Sequence, residues 1–272
     1  MKKSKLSFSS LILGYVFLYM PIISLMFFSF NSSKQVMIWT GFSLKWYVQL
    51  FSNKEVLKAA GTSLEIALIS ATLSTILGTI SALVLVKFKK FTGKGFFQIL
   101  VSTPLVMPEI IMSLAFLLLF FNLKSLIGWP QIGTVSTIMI AHTTVAISYV
   151  CAIVYAQLIN FDRSIIEAAM DLGARPLKAF FQITFPILMP SLVSGWFLSF
   201  VLSMDDLIIS SFVGGPEATT LPMVIYSSVK FGISPEINAL ATLIIFLATI
   251  SLTIAYFLHT KQKKTLESTS TQ

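Results

Sequence analysis

The chain has 272 residues, 56% of them hydrophobic and 11% charged, with a net charge of +8 and a mean hydropathy of +0.87. Soluble domains carry about 25% charged residues, so this composition excludes a soluble globular protein and selects an integral membrane protein. The basic excess does not indicate nucleic acid, because it sits in short clusters between apolar stretches, and the single Cys151 excludes an intrachain disulfide.

A membrane-spanning helix needs roughly 20 apolar residues. Six stretches meet this: about 11–30, 62–86, 96–122, 133–158, 187–213 and 237–259. The expected fold class is therefore an all-α integral membrane protein of six transmembrane helices, read as one domain over 1–272. With both termini in the cytosol, inner segments hold Lys2, Lys3, Lys5, Lys87, Lys89, Lys90, Lys94, Arg163, Arg175, Lys178, Lys261, Lys263 and Lys264. Outer segments hold Lys34, Lys45, Lys54, Lys58, Lys124 and Lys230. Basic residues favour the cytosolic side, so this orientation is expected and the inverted one is not. A cleaved signal peptide is the competing reading of residues 1–30, but the apolar stretch is too long for one and no small-residue cleavage site follows.

Residues 31–61 form the first outer loop. Trp39, Phe42, Trp46, Tyr47, Leu50 and Phe51 recur there at helix-compatible spacing. They read as an interfacial segment at headgroup level, or as a landing surface for an external partner. In the third span Glu109 follows Pro108 near the middle, one turn after Pro104. Prolines at that spacing free backbone carbonyls. An ionisable side chain within a span costs about 2.5–3.5 kcal/mol on insertion scales and points to a cavity. His142, in the fourth span, reads as a buried, hydrogen-bonded histidine, with no carboxylate in its own span. One cysteine and two distant histidines provide no metal-ligand spacing.

Residues 159–186 form a polar island between spans four and five. Ser164-x-x-Glu167 fits a capping box. Ala168 and Ala169 favour helix with little bulk. Gly173 fits a helix end needing left-handed backbone, and Pro176 fits the first turn of a second helix. Leu177, Phe180 and Phe181 then make an apolar face. The expectation is helix–turn–helix with small residues on one arm and an aromatic knob on the other. The competing reading is an amphipathic loop lying on the bilayer, and Glu167 could serve as a cap or as a contact.

Asp205 and Asp206 follow about 18 apolar residues of the fifth span, which at 1.5 Å per residue places them in its outer half. They read either as cavity carboxylates or as a hydrated helix-ending pair. Glu217 and Glu236 read as solvated or docking residues. The spans contain no lysine or arginine to neutralise Glu109, Asp205 and Asp206. A cavity of that kind suits a mobile cation whose ammonium heads pair with carboxylates while its methylenes lie on apolar walls.

The run Glu167-Ala168-Ala169, then Gly173, Ile183 and Pro186, resembles the signature loop of permease subunits of bacterial ATP-binding-cassette importers. The resemblance extends over nearly the whole chain and is greatest to the spermidine/putrescine (polyamine) branch. FNSSKQVMIWTGFSLKWY (30–47), TPLVMPEIIMSL (103–114), INFDRSIIEAAMDLGA (159–174), LSMDDLIISSFVGGP (202–216) and SPEINALATL (234–243) carry it. STPLVMPE and IGWP (127–130) make the chain look most like the putrescine-type second permease. The resemblance implies a type I ABC importer permease fold in the bacterial inner membrane, with 159–186 as cytosolic coupling helices held by an ATPase. Glu167, Ala168, Ala169, Asp171, Gly173, Ala174, Phe180 and Phe181 would make the coupling contact; Glu109, Asp205 and Asp206 are expected to line the substrate path from the cost of placing carboxylates in a span. The implied partners are a second, non-identical permease, two ATPase subunits, an extracytoplasmic polyamine-binding protein and membrane lipid. Thr92-Gly93-Lys94-Gly95 lacks the upstream glycine of a phosphate loop, so no catalysis and no cofactor are expected in this chain, with ATP and Mg on the partner ATPase. A stand-alone secondary cation transporter is the alternative. Its pointer would be an internal repeat of interrupted helices, which the sequence lacks. An importer permease for a different small solute is the other alternative.

Overall fold

In the computed structural model, residues 5–250 and residue 253 are described, apart from 36, 37, 89, 163 and 232–234. The helices are α1 Lys5–Phe28, α2 Lys45–Ser52, α3 Lys54–Lys87, α4 Lys94–Ser102, α5 Glu109–Ile127 and α6 Val135–Ile159. Then come α7 Ser164–Asp171, α8 Pro176–Ala179, α9 Phe185–Asp205, α10 Ile208–Val213, α11 Leu221–Phe231 and α12 Pro235–Ile250. A π-helical turn, Phe180–Thr184, joins α8 to α9, so Pro176–Asp205 runs as one helix of 30 residues. Among the described residues, five helices are long and apolar enough to cross a membrane, and α12 is a shorter apolar helix. The far end of the expected sixth span, 251–259, lies outside the described residues except for 253.

The third span differs from expectation. Instead of one helix over 96–122, α4 ends at Ser102, a 3-10 turn covers Thr103–Leu105, and α5 starts afresh at Glu109. Proline lacks an N–H and its ring clashes with the preceding helical turn, so Pro104 and Pro108 interrupt the α-helix twice within five residues. Glu109 therefore opens a helix rather than sitting at mid-span. The fifth span breaks at its aspartate pair. Its helix stops at Asp205, extended backbone at Asp206 interrupts it, and α10 follows.

The chain groups into two compact units, Met1–Leu57 with Ile225–Gln272, and Lys58–Val224. In the first, Asn31 organises the outer loop. Its side chain donates to Ile38 O at 2.8 Å and accepts from Ser33 N at 3.2 Å and Thr40 N at 3.1 Å. Its carbonyl accepts the Trp46 indole N–H at 2.6 Å. Trp46 is consequently 4% exposed and Leu50 is buried beside it. Trp39 stacks on Phe27 at 4.5 Å and Phe42 on Phe30 at 5.4 Å. Trp39 and Phe42 thus fold back onto the end of α1 and the turn after it. Asn53 supports the start of α3, accepting from Glu55 N and Val56 N, and donates to Glu236 at 3.3 Å. Glu236 is therefore engaged within this unit, contrary to a solvated role.

The second unit is built on α6. His142, Ala146 and Val150 recur every four residues along it, and all are buried. On α9 Gly195, Ser199 and Ser203 recur at the same interval and are buried too. Gly195 faces Val150, with a Cβ there meeting its Cγ1 at 3.4 Å, and Ser203 reaches His142. Matching rows at i±4 let two helices interlock, and small residues let their backbones approach in a membrane, where apolar burial gives little drive. Gly78 of α3 is tighter still: a Cβ there would lie 2.7 Å from Val150 Cβ and 2.9 Å from Ile147 O. Two apolar clusters flank the α6–α9 seam. One joins Phe116, Phe120, Ile138 and Val213, and the other joins Leu85, Val154, Leu188 and Leu192.

Candidate functional site

The elbow between α7 and α8 is built by backbone chemistry. Gly173 has φ +85°, its N–H donates to Met170 O at 2.9 Å, and Ala174 N–H donates to Ala169 O at 3.0 Å. These two bonds make a Schellman end, which requires a left-handed residue and so a glycine. Pro176 then occupies the first turn of α8. The capping box does not form as expected: Ser164 lies inside α7, and its amide donates to Asp162 Oδ1 at 2.9 Å. That amide holds the Asp162 carboxyl below its ordinary range. The bond is therefore present above that range and is lost as pH falls through the lowered value. Glu167, Ala168, Asp171 and Gly173 are exposed, Ala169, Ala174 and Phe180 half-buried. Leu172 is 89% exposed, and Leu177 and Phe181 are exposed as well. The elbow presents a compact apolar knob on a fixed turn.

The second constellation lies among α5, α6, α9 and α10. His142 on α6 meets Asp206 through Nε2 at 3.0 Å and Ser203 Oγ through Nδ1 at 2.7 Å. Ionised Asp206 only accepts hydrogen bonds, so Nε2 carries a proton, while Nδ1 pairs with the Ser203 hydroxyl. Asp206 Oδ2 also accepts from Ser210 N at 2.8 Å and Ser210 Oγ at 2.7 Å, and Oδ1 from Ile209 N at 3.2 Å. Asp206 is thereby the cap of α10, 8% exposed. His142 is buried and hydrogen-bonded, as the sequence suggests; the carboxylate absent from its own span comes from the break between α9 and α10. Asp205, its neighbour, is exposed.

Glu109 lines a small chamber of about 50 Å³ with His142, Tyr149, Ser199, Ser203 and Asp206. A second cavity of about 190 Å³, lined by Pro104, Leu105, Met107 and Met112, shares Glu109, Val145, Tyr149 and Ile209 with it. Of the three predicted acidic residues, the structure brings Glu109 and Asp206 to one chamber and leaves Asp205 outside its lining. Ser199, Ser203, Ser210 and Tyr149 were missed from the sequence. Small residues at four-residue spacing on α9 were the available signal. Among the described residues, no group of three or more histidine, cysteine or acidic side chains is arranged to hold a metal ion.

Residues 74–266 match the family described as the binding-protein-dependent transport system inner membrane component. The chain is 51% identical over 254 residues to the putrescine transport system permease protein PotI of Escherichia coli (strain K12), covering 93% of this chain and 90% of that one. It is 41% identical over 236 residues to the spermidine/putrescine transport system permease protein PotC of the same organism, covering 87% of each. Among solved structures it is similar to a bacterial ABC transporter involved in import of the acidic polysaccharide alginate. The TM-score is 0.69 at 18% identity, covering 93% of this chain and 92% of that one.

Proposed function

Since this chain belongs to the inner membrane components of binding-protein-dependent transport systems, we propose that it is the permease subunit of an ATP-driven polyamine importer, with putrescine or spermidine as cargo. It is an all-helical, multi-pass inner-membrane protein with the fold of an ABC importer permease. The translocation path forms between this chain and a second, non-identical permease. Two ATPase subunits supply energy with ATP and Mg bound to them, and an extracytoplasmic binding protein delivers the cation. Both termini and the elbow face the cytosol.

The observation that carries the coupling role is the elbow. Its glycine-locked turn sets the angle between α7 and α8, and the knob of Leu172, Leu177 and Phe181 offers an ATPase a grip. The single helix from Pro176 to Asp205 then runs without a loop from the knob to the acidic chamber. Closure of the ATPases moves the knob, and that helix carries the displacement to the cavity around Glu109 and Asp206. Alternating access follows when the chamber faces first the binding protein and then the cytosol.

The test is ATP-dependent uptake of labelled putrescine and spermidine by the importer reconstituted with its partner subunits. Wild type accumulates one or both, and Gly173→Pro, whose φ cannot be positive, abolishes uptake while the complex still assembles. Wild-type uptake by Gly173→Pro rules out the elbow as coupler, and no uptake of either polyamine by wild type rules out the cargo.

A further inference from the structure

We propose that the chamber between α5, α6, α9 and α10 is a seat for one primary ammonium head, held by Glu109 and the hydroxyl of Ser199, with the adjoining cavity taking the methylene chain; this rests on the polyamine reading above. Ser199 is wholly buried and lines the chamber, yet its hydroxyl has no hydrogen-bond partner among the described residues. On these helices Ser113 returns its hydroxyl to Glu109 O and Ser194 to Pro190 O one turn back, and Ser203 and Ser210 bond His142 and Asp206; Ser148 of α6 is unpaired among the described residues too, but does not line the chamber. A buried hydroxyl left unpaired is costly, and a donor entering the chamber removes that cost.

The charges select which donor. Asp206 is occupied by His142, Ser210 and Ile209 N–H, so it contributes field rather than free acceptor sites. The Glu109 carboxylate has no hydrogen-bond partner among the described residues and lines both cavities. A charged N–H donor is what an open carboxylate and an open hydroxyl share as a partner. The chamber's 50 Å³ has room for roughly three or four water-sized groups, which suits an ammonium with its first methylenes. The 190 Å³ cavity, walled by Leu105, Met107 and Met112, suits an unbranched apolar chain. Ser199 and Glu109 are thus cargo-contacting residues, whereas His142 positions Asp206 behind them.

The experiment compares diamine imported per ATP hydrolysed in proteoliposomes containing the full importer at saturating binding protein. Ser199→Ala lowers that ratio about tenfold or more, the factor carried by one hydrogen bond to a charged group, while stimulated ATP hydrolysis persists. Ser199→Thr, which keeps the hydroxyl, stays near wild type. If Ser199→Ala impairs assembly, Ser199→Cys, close in volume and a weaker acceptor, replaces it with the same expectation. An unchanged ratio in Ser199→Ala, or equal losses in the Ala and Thr variants, overturns the seat. Both outcomes differ from a wild-type importer that moves no diamine, which sinks the polyamine reading itself.

Discussion

Asp205 and Asp206 are adjacent in sequence and opposite in environment. Asp205 ends α9 exposed, while Asp206 turns inward, caps α10 and receives His142. Burying a carboxylate is costly unless it is hydrogen-bonded, and four donors make the arrangement tenable. Removing one donor leaves the charge under-satisfied in a place water does not freely reach. His142→Ala should therefore lower stability by about 2–3 kcal/mol, the upper range for a hydrogen bond to a charged group. The measurement is thermal unfolding of the purified permease complex in detergent. Asp206→Asn should cost less than Asp206→Ala, because its one amide oxygen can still accept from Ser210 N or from Ile209 N, which bond different carboxylate oxygens.

At the scale of elements, the α6 seam depends on absent side chains. Gly78 and Gly195 leave room for Val150 from two helices, and neither gap shows in a hydropathy profile. Adding a methyl at Gly78 forces it against a backbone carbonyl that cannot move alone. Gly78→Ala should destabilise by about 1–3 kcal/mol, the usual cost of overpacking. Gly61→Ala on the same helix, where a Cβ meets nothing within 4 Å, should be neutral or mildly stabilising through helix propensity. Paired unfolding measurements on the two variants check this, and equal effects would remove the steric account of the seam. The elbow follows the opposite logic, since Gly173 has open space around it and is required only by its positive φ.

For the whole molecule, the charge bias sets a direction that the packing does not. Among the described residues, none of the apolar window of α1 is buried, which suits a helix covered by lipid or a second permease. Orientation is tested by single cysteines in a Cys151→Ser background. A membrane-impermeant thiol reagent should label position 217 in spheroplasts, and position 172 only after permeabilisation. The reverse pattern would turn the elbow away from the ATPases and end the coupling proposal.

Most of the spans, the elbow and the need for glycine at 173 were legible in the sequence because each rests on local rules: apolar length and helix-end stereochemistry. Proline spacing announced a break around residues 104–108, although not that Glu109 would begin a helix. The pairing of His142 with Asp206, the separate environments of Asp205 and Asp206, and the open hydroxyl of Ser199 were decided only by tertiary structure. Those features join helices more than 50 residues apart in the chain. Lipid-facing and helix-facing surfaces of a span are almost equally apolar, so hydropathy tells where the chain crosses the membrane but not which side chains meet within it.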